Sequence, residues 1–93
     1  MSRYNLKFLK QEQGINGRFE TVEEKYMGNE YTEENIQLAT SKETLQFFRK
    51  TFNSKQKVTT EIKDGLTVVK IFSYEPNRID RRTVHIYTEI PNT

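Results

Sequence analysis

Asp64-Gly65 stands between two runs of alternating residues, Val58-Thr59-Thr60-Glu61-Ile62 before it and Leu66 to Tyr74 after it. An Asp-Gly pair tolerates positive φ at both positions, so it closes a two-residue hairpin. The turn fixes register: Lys63 faces Leu66, Ile62 faces Thr67, Thr60 faces Val69 and Val58 faces Ile71. Side chains alternate across a strand. One face of the hairpin therefore carries Val58, Ile62, Val69 and Ile71, and the other carries Leu66, Val68, Phe72 and Tyr74. The 66–74 strand is apolar on both faces, as a central strand covered on both sides should be.

After a loop from Glu75 to Arg81, Arg82 to Ile90 reads as the next strand. Val84, Ile86 and Ile90 lie on one side of it, His85 and Tyr87 on the other. Pairing Ile71 with Ile86 sends Val84, Ile86 and Ile90 into the helix-covered core. It leaves Leu66, Val68, Phe72, Tyr74, His85 and Tyr87 together on the opposite face.

The first third repeats the hairpin logic. Tyr4, Leu6 and Phe8 alternate with Arg3, Asn5 and Lys7, which predicts a half-buried strand over 3–10. Gly14 and Asn16-Gly17 predict the reversal, and Phe19 to Met27 the return strand. Putting Val22 and Tyr26 on the face of Phe8 requires a bulge, which a type I turn with Gly17 in a G1 bulge would supply. Asn35 to Ala39 fits either a short strand or the end of a helix begun at Thr32. The alternation of Ile36 and Leu38 favours the strand. Thr40-Ser41-Lys42-Glu43 has capping-box spacing and predicts a helix from Lys42 to Phe52. Leu45, Phe48 and Phe52 form its apolar stripe. The expected fold is a single α+β domain over residues 1–93. Its antiparallel sheet has about five to six strands, with one helix on one face, in the order β-β-β-α-β-β-β.

Several function classes lose support at this stage. The chain has no cysteine, hence no disulfide framework, no thiolate nucleophile and no Cys-based zinc site. That favours the cytoplasm, and the first residues show no apolar signal segment. No run reaches the roughly 20 apolar residues of a membrane span. His85 is the single histidine and lacks a second positioned group for acid–base work. The glutamates lack metal-loop spacing. No cofactor, metal or small-molecule substrate is expected, and the chain is read as a non-enzyme.

Two binding readings remain. One is a protein-interaction module acting through Leu66, Val68, Phe72, Tyr74, His85 and Tyr87. One helix cannot cover both faces of a sheet, and monomers rarely expose a large apolar patch. The N-terminal hairpin, a second copy in a homodimer, or another protein must cover it. The chain's size and its Lys, Asn, Ile and Tyr usage fit an accessory protein of a phage or mobile element. The other reading is nucleic-acid binding by Arg78, Arg81 and Arg82, clustered at a hairpin loop near Phe72, Tyr74 and Tyr87.

Charge adds one pattern. Net charge is +2, too small to imply a polyanion partner. Residues 1–47 carry six bases against eight acids, and residues 48–93 nine bases against five acids. The acids gather at Glu20, Glu23, Glu24, Glu30, Glu33 and Glu34. The bases gather at Arg49, Lys50, Lys55 and Lys57. Such a bipolar surface steers a charged partner or pairs head to tail with itself.

Overall fold

The computed structural model describes residues 2–91. Its elements are β1 (Arg3–Gln13), β2 (Phe19–Tyr26), β3 (Tyr31–Thr32), α1 (Glu33–Ala39), α2 (Lys42–Phe52), β4 (Lys55–Lys63), β5 (Leu66–Glu75) and β6 (Arg78–Glu89). The strands form one six-stranded antiparallel sheet in the order β2-β1-β6-β5-β4, with β3 also pairing β1. The helices lie on one side of it, so the fold is α+β.

The Asp64-Gly65 hairpin forms in the expected register, from Lys63↔Leu66 to Val58↔Ile71. Asp64 and Gly65 have φ of 55° and 79°, the double left-handed geometry that selects these residues. The first hairpin closes as Asn16-Gly17 predicts. Gly17 has φ 78°. Its N–H donates to the Gly14 carbonyl at 3.0 Å, and the Gly14 N–H donates to the Arg18 carbonyl at 2.8 Å. This is a turn followed by a G1 bulge. A second irregularity, between Lys10 and Gln11, shifts register again. It pairs Tyr26 with Lys7, away from the face of Phe8, and Val22 and Tyr26 are exposed.

Residues 35–39 are helical rather than extended. Thr32 caps α1 in a reciprocal box: its hydroxyl accepts from the Asn35 N–H, and the Asn35 side chain accepts from the Thr32 N–H. A helix this short shows too few turns for its 3.6-residue period to appear. The alternation of Ile36 and Leu38 mimics a strand, but Ile36 is buried and Leu38 is 68% exposed. The sheet still reaches six strands, because Tyr31 and Thr32 pair with β1 at Tyr4 and Arg3.

α2 occupies the expected span. Ser41 is its N-cap, accepting from the Thr44 N–H at 3.3 Å. The third helical residue is thus Thr44, and Glu43 does not close the box. Thr40 instead ends α1.

The main core joins Tyr4 and Leu6 of β1, Val69 and Ile71 of β5, Tyr87 of β6 and Ile36 of α1. α1 therefore supplies the helical plug expected of Leu45, Phe48 and Phe52. No residue of α2 is buried. With α1 seated over Tyr4, Leu6 and Tyr87, α2 lies beside the core rather than on it.

Candidate protein interface

The pairing of β6 decides which side chains share a face. Ile71 faces His85, and its neighbours Phe72 and Val69 face Val84 and Tyr87. This is one residue away from the expected Ile71–Ile86 pair, and a one-residue slip reverses every side chain of a strand. His85 and Tyr87 therefore join Ile71 and Val69 on the helix-bearing face. Val84 and Ile86 go to the open face with Leu66, Val68, Phe72 and Tyr74. The apolar alternation of β6 could not have fixed this, since both of its parities are apolar or aromatic.

The open face is partly closed by the chain itself. Val84, 2% exposed, is the most buried side chain among the described residues. It sits between Leu9 of β1 and Phe72 of β5. Val68 is buried, while Leu66, Phe72 and Tyr74 are half-buried. Arg82 lies across this surface. Its guanidinium carbon is 4.0 Å from the Phe19 ring centroid, 4.7 Å from that of Phe72 and 5.9 Å from that of Tyr74. Its Nε donates to Gln11 Oε1 at 2.7 Å and its Nη1 to the Tyr74 hydroxyl at 3.3 Å. A cation over several rings holds them together and keeps its own charge at the surface.

The three arginines do not form one cluster. The connection is only Pro76 and Asn77, because β6 already begins at Arg78. Arg78 is 3.4 Å from Asp80, and Arg81 is 3.3 Å from Glu12 of β1. Arg82 lies on the open face. Alternation sends Arg81 and Arg82 to opposite sides of the sheet.

The most exposed aromatic surface is on α2. Phe47, Phe48 and Phe52 are 58%, 36% and 56% exposed. Their ring centroids lie 5.7 to 6.4 Å apart. Beneath Phe48 and Phe52 runs a groove of about 360 Å³, floored by Ile71, Ser73, Thr83, His85 and Tyr87. The His85 ring packs edge-on against Phe8 at 5.1 Å, and burial pushes its pKa below the usual imidazole value. The floor is thus uncharged at neutral pH. Gln56 lines the groove too. Its Nε2 donates to Ser73 at 3.2 Å, whereas its buried Oε1 has no partner among the described residues.

On the other flank of α2, a cleft of about 400 Å³ opens against β4. Lys42, Arg49, Lys55 and Lys57 line it, with no acid among its lining residues. None of the four makes an ion pair among the described residues. The sequence signal for this cleft was visible in the Arg49–Lys57 cluster. The groove had no such signal, because Leu45, Phe48 and Phe52 have the spacing of a stripe that is usually buried.

Among the described residues, no group of three or more His, Cys, Asp or Glu is placed to hold a metal ion. No helix among them is long and apolar enough to cross a membrane. Comparison with family models, with curated proteins and with solved structures finds no match to this chain.

Proposed function

We propose that the chain is a non-enzymatic protein-interaction module that engages its partner through the aromatic ridge of α2 and the groove beneath it. The observation that carries this reading is the exposure of Phe47, Phe48 and Phe52 in mutual contact. Aromatic rings are enriched at the centre of protein interfaces, where they bury large area at small entropic cost. The open face around Leu66, Phe72 and Tyr74 is the weaker candidate, since Arg82 and Phe19 already close part of it. Nucleic-acid binding at Arg78, Arg81 and Arg82 is also weaker, because Arg81 and Arg82 lie on opposite sides of the sheet and each of the three is engaged within the fold. The size and residue usage support an accessory role of the kind found in phages and mobile elements. The cysteine-free sequence supports a cytoplasmic one.

A photo-crosslinking residue at position 47 tests the reading in cells that make the protein. A discrete protein adduct is expected, reduced several-fold by Phe48→Ser with Phe52→Ser. The same label at Asn77, in the β5–β6 turn, serves as control. Equal labelling from positions 47 and 77, or an adduct indifferent to the two serines, removes the proposal.

A further inference from the structure

β4 is the last strand of the sheet, and its outer edge is open among the described residues. The Asp64-Gly65 turn closes on a hydrogen-bonded pair, Lys63 and Leu66, and such pairs alternate along an antiparallel ladder. Odd-numbered residues of β4 therefore bond to β5, while the N–H and C=O groups of Gln56, Val58, Thr60 and Ile62 point outward. No backbone hydrogen bond joins that edge to α2 among the described residues. α2 stands beside it instead. Lys42, Leu45, Gln46 and Arg49, one stripe at helical spacing, line the cleft of about 400 Å³ between helix and strand.

Cations stand on both sides of this edge. Lys55 and Lys57 pair with Tyr74 and Phe72 and share their open face, whereas Gln56 and Val58 share the helix-bearing face with Ser73 and Ile71. Lys42 and Arg49 come from α2, on the helix side. The acids of these elements, Glu43, Glu61 and Glu75, do not line the cleft, and Glu61 is 3.6 Å from Lys70.

We infer that this edge receives an extended acidic segment of another protein, added as a further strand beside β4 and held by cations on both of its faces. The site lies on the opposite flank of α2 from the ridge groove and does not depend on it. An open edge binds a peptide by main-chain hydrogen bonds, and the side chains around it select which peptide. Lysine on an edge repels a like edge and attracts an acidic one. Lys42 and Arg49 are about 10 Å apart along the helix axis, and Lys55 and Lys57 about 7 Å apart along the strand. Charge spread over such lengths matches a chain with several carboxylates better than a single small anion. A polynucleotide has similar charge spacing, but it also needs rings on which to stack. Tyr74, the aromatic residue lining the cleft, already packs edge-on against Phe19 at 6.3 Å and accepts from Arg82. A second copy is a poorer source of acid, since Glu23 and Glu24 of β2 are paired with Lys10 and Lys7.

Fluorescence anisotropy with the purified chain tests this. The probe is a labelled peptide of glutamate and valine, about eight residues long, with glutamates on both faces of its extended form. It should bind at low salt, and raising salt from about 0.05 to about 0.5 M should weaken binding at least about tenfold. The same peptide with N-methylated amides keeps every charge but cannot donate to a strand edge, and should bind at least about tenfold more weakly. Lys55→Gln with Lys57→Gln, and separately Lys42→Gln with Arg49→Gln, should each weaken binding several-fold. Phe48→Ser with Phe52→Ser should not. The salt series and the two peptides use the native sequence, so they decide even where a variant misfolds. Equal binding of the N-methylated peptide, tighter binding of a thymidine oligonucleotide of equal charge, or no binding at low salt overturns the inference and leaves the ridge reading standing. Loss confined to the ridge variant places the peptide in the groove and also overturns it.

Discussion

Arg82 shows how one side chain changes meaning between sequence and structure. Beside Arg78 and Arg81 it looks like a phosphate contact. In the fold it spans Phe19 of β2, Gln11 of β1 and Phe72 and Tyr74 of β5. Arg82→Ala removes the cation–π contacts and two hydrogen bonds, and should cost about 1–3 kcal/mol in urea unfolding. Arg78→Ala breaks one exposed pair and should stay within about 0.5 kcal/mol. Equal effects would show that Arg82 does not tie the open face together. His85 makes a separate prediction. Burial lowers its pKa in the fold, while the unfolded chain titrates near about 6.5. Below that value the unfolded state binds more protons, so stability rises with pH. The contribution is full above the ordinary imidazole pKa and declines as pH falls through the lower folded one. Glu89 acts in a more acidic window. Its carboxylate accepts the Thr67 N–H at 2.9 Å and the Ser2 hydroxyl at 2.8 Å, which hold its pKa below the usual carboxylate range. Its contribution is present above about pH 4.3 and is lost as pH falls through the folded value. Melting temperature followed from about pH 7.5 to about pH 5 therefore isolates His85, and His85→Gln should flatten the decline. An unchanged slope in the variant would assign the effect elsewhere.

At the scale of elements, legibility followed the strength of local turn and cap chemistry. Asp64-Gly65 and Asn16-Gly17 specify backbone geometry, so both hairpins were readable with their turns. Gly65→Val places a β-branched residue at φ 79° and should destabilise the protein by more than about 1 kcal/mol. A variant that melts with the native chain would contradict the turn. The α2 span was readable from its cap, although the capping partner was misread by one position. Two features lacked a local signal. α1 is too short to display its period. The register of β6 depends on an irregular β5–β6 connection, where Glu75 pairs Arg78 but Tyr74 pairs Arg82, and nothing in the residues between them announces it. That slip moved His85 and Tyr87 out of the expected surface. Of that surface, Leu66, Val68, Phe72 and Tyr74 do share a face. The groove was not legible because its wall, Phe48 and Phe52, and its floor, which begins at Ile71, come from different elements of the chain, and because periodicity cannot distinguish a buried stripe from one left exposed.

Across the whole molecule, the sheet places its earliest strand beside its latest. β1 pairs β6 from Tyr4↔Glu89 to Glu12↔Arg81, so the centre of the sheet cannot form until nearly the entire chain is available. Contacts of such long sequence separation slow folding. They also concentrate cooperative stability in β1, β5 and β6, which hold every buried residue in the strands. α2 stands apart from this unit. It has no buried residue, and its ends are tied mainly by the Ser41 cap and by Asn53 at φ 52°. Stability is not uniform where contacts are not. In native-state hydrogen exchange, the slowest amides should lie in β1, β5 and β6 and report global unfolding. Amides of α2 should open by a separate route at a clearly lower free energy. Ser41→Ala should sharpen the difference: loss of a cap costs on the order of 1 kcal/mol, and it should speed exchange in α2 while leaving β6 almost unchanged. The test belongs at concentrations where the chain is monomeric, since a partner on the ridge would protect α2. If α2 amides exchange only with the β6 core, the helix is part of the cooperative unit. Its aromatic ridge would then be a fixed surface rather than an element free to repack around what it binds.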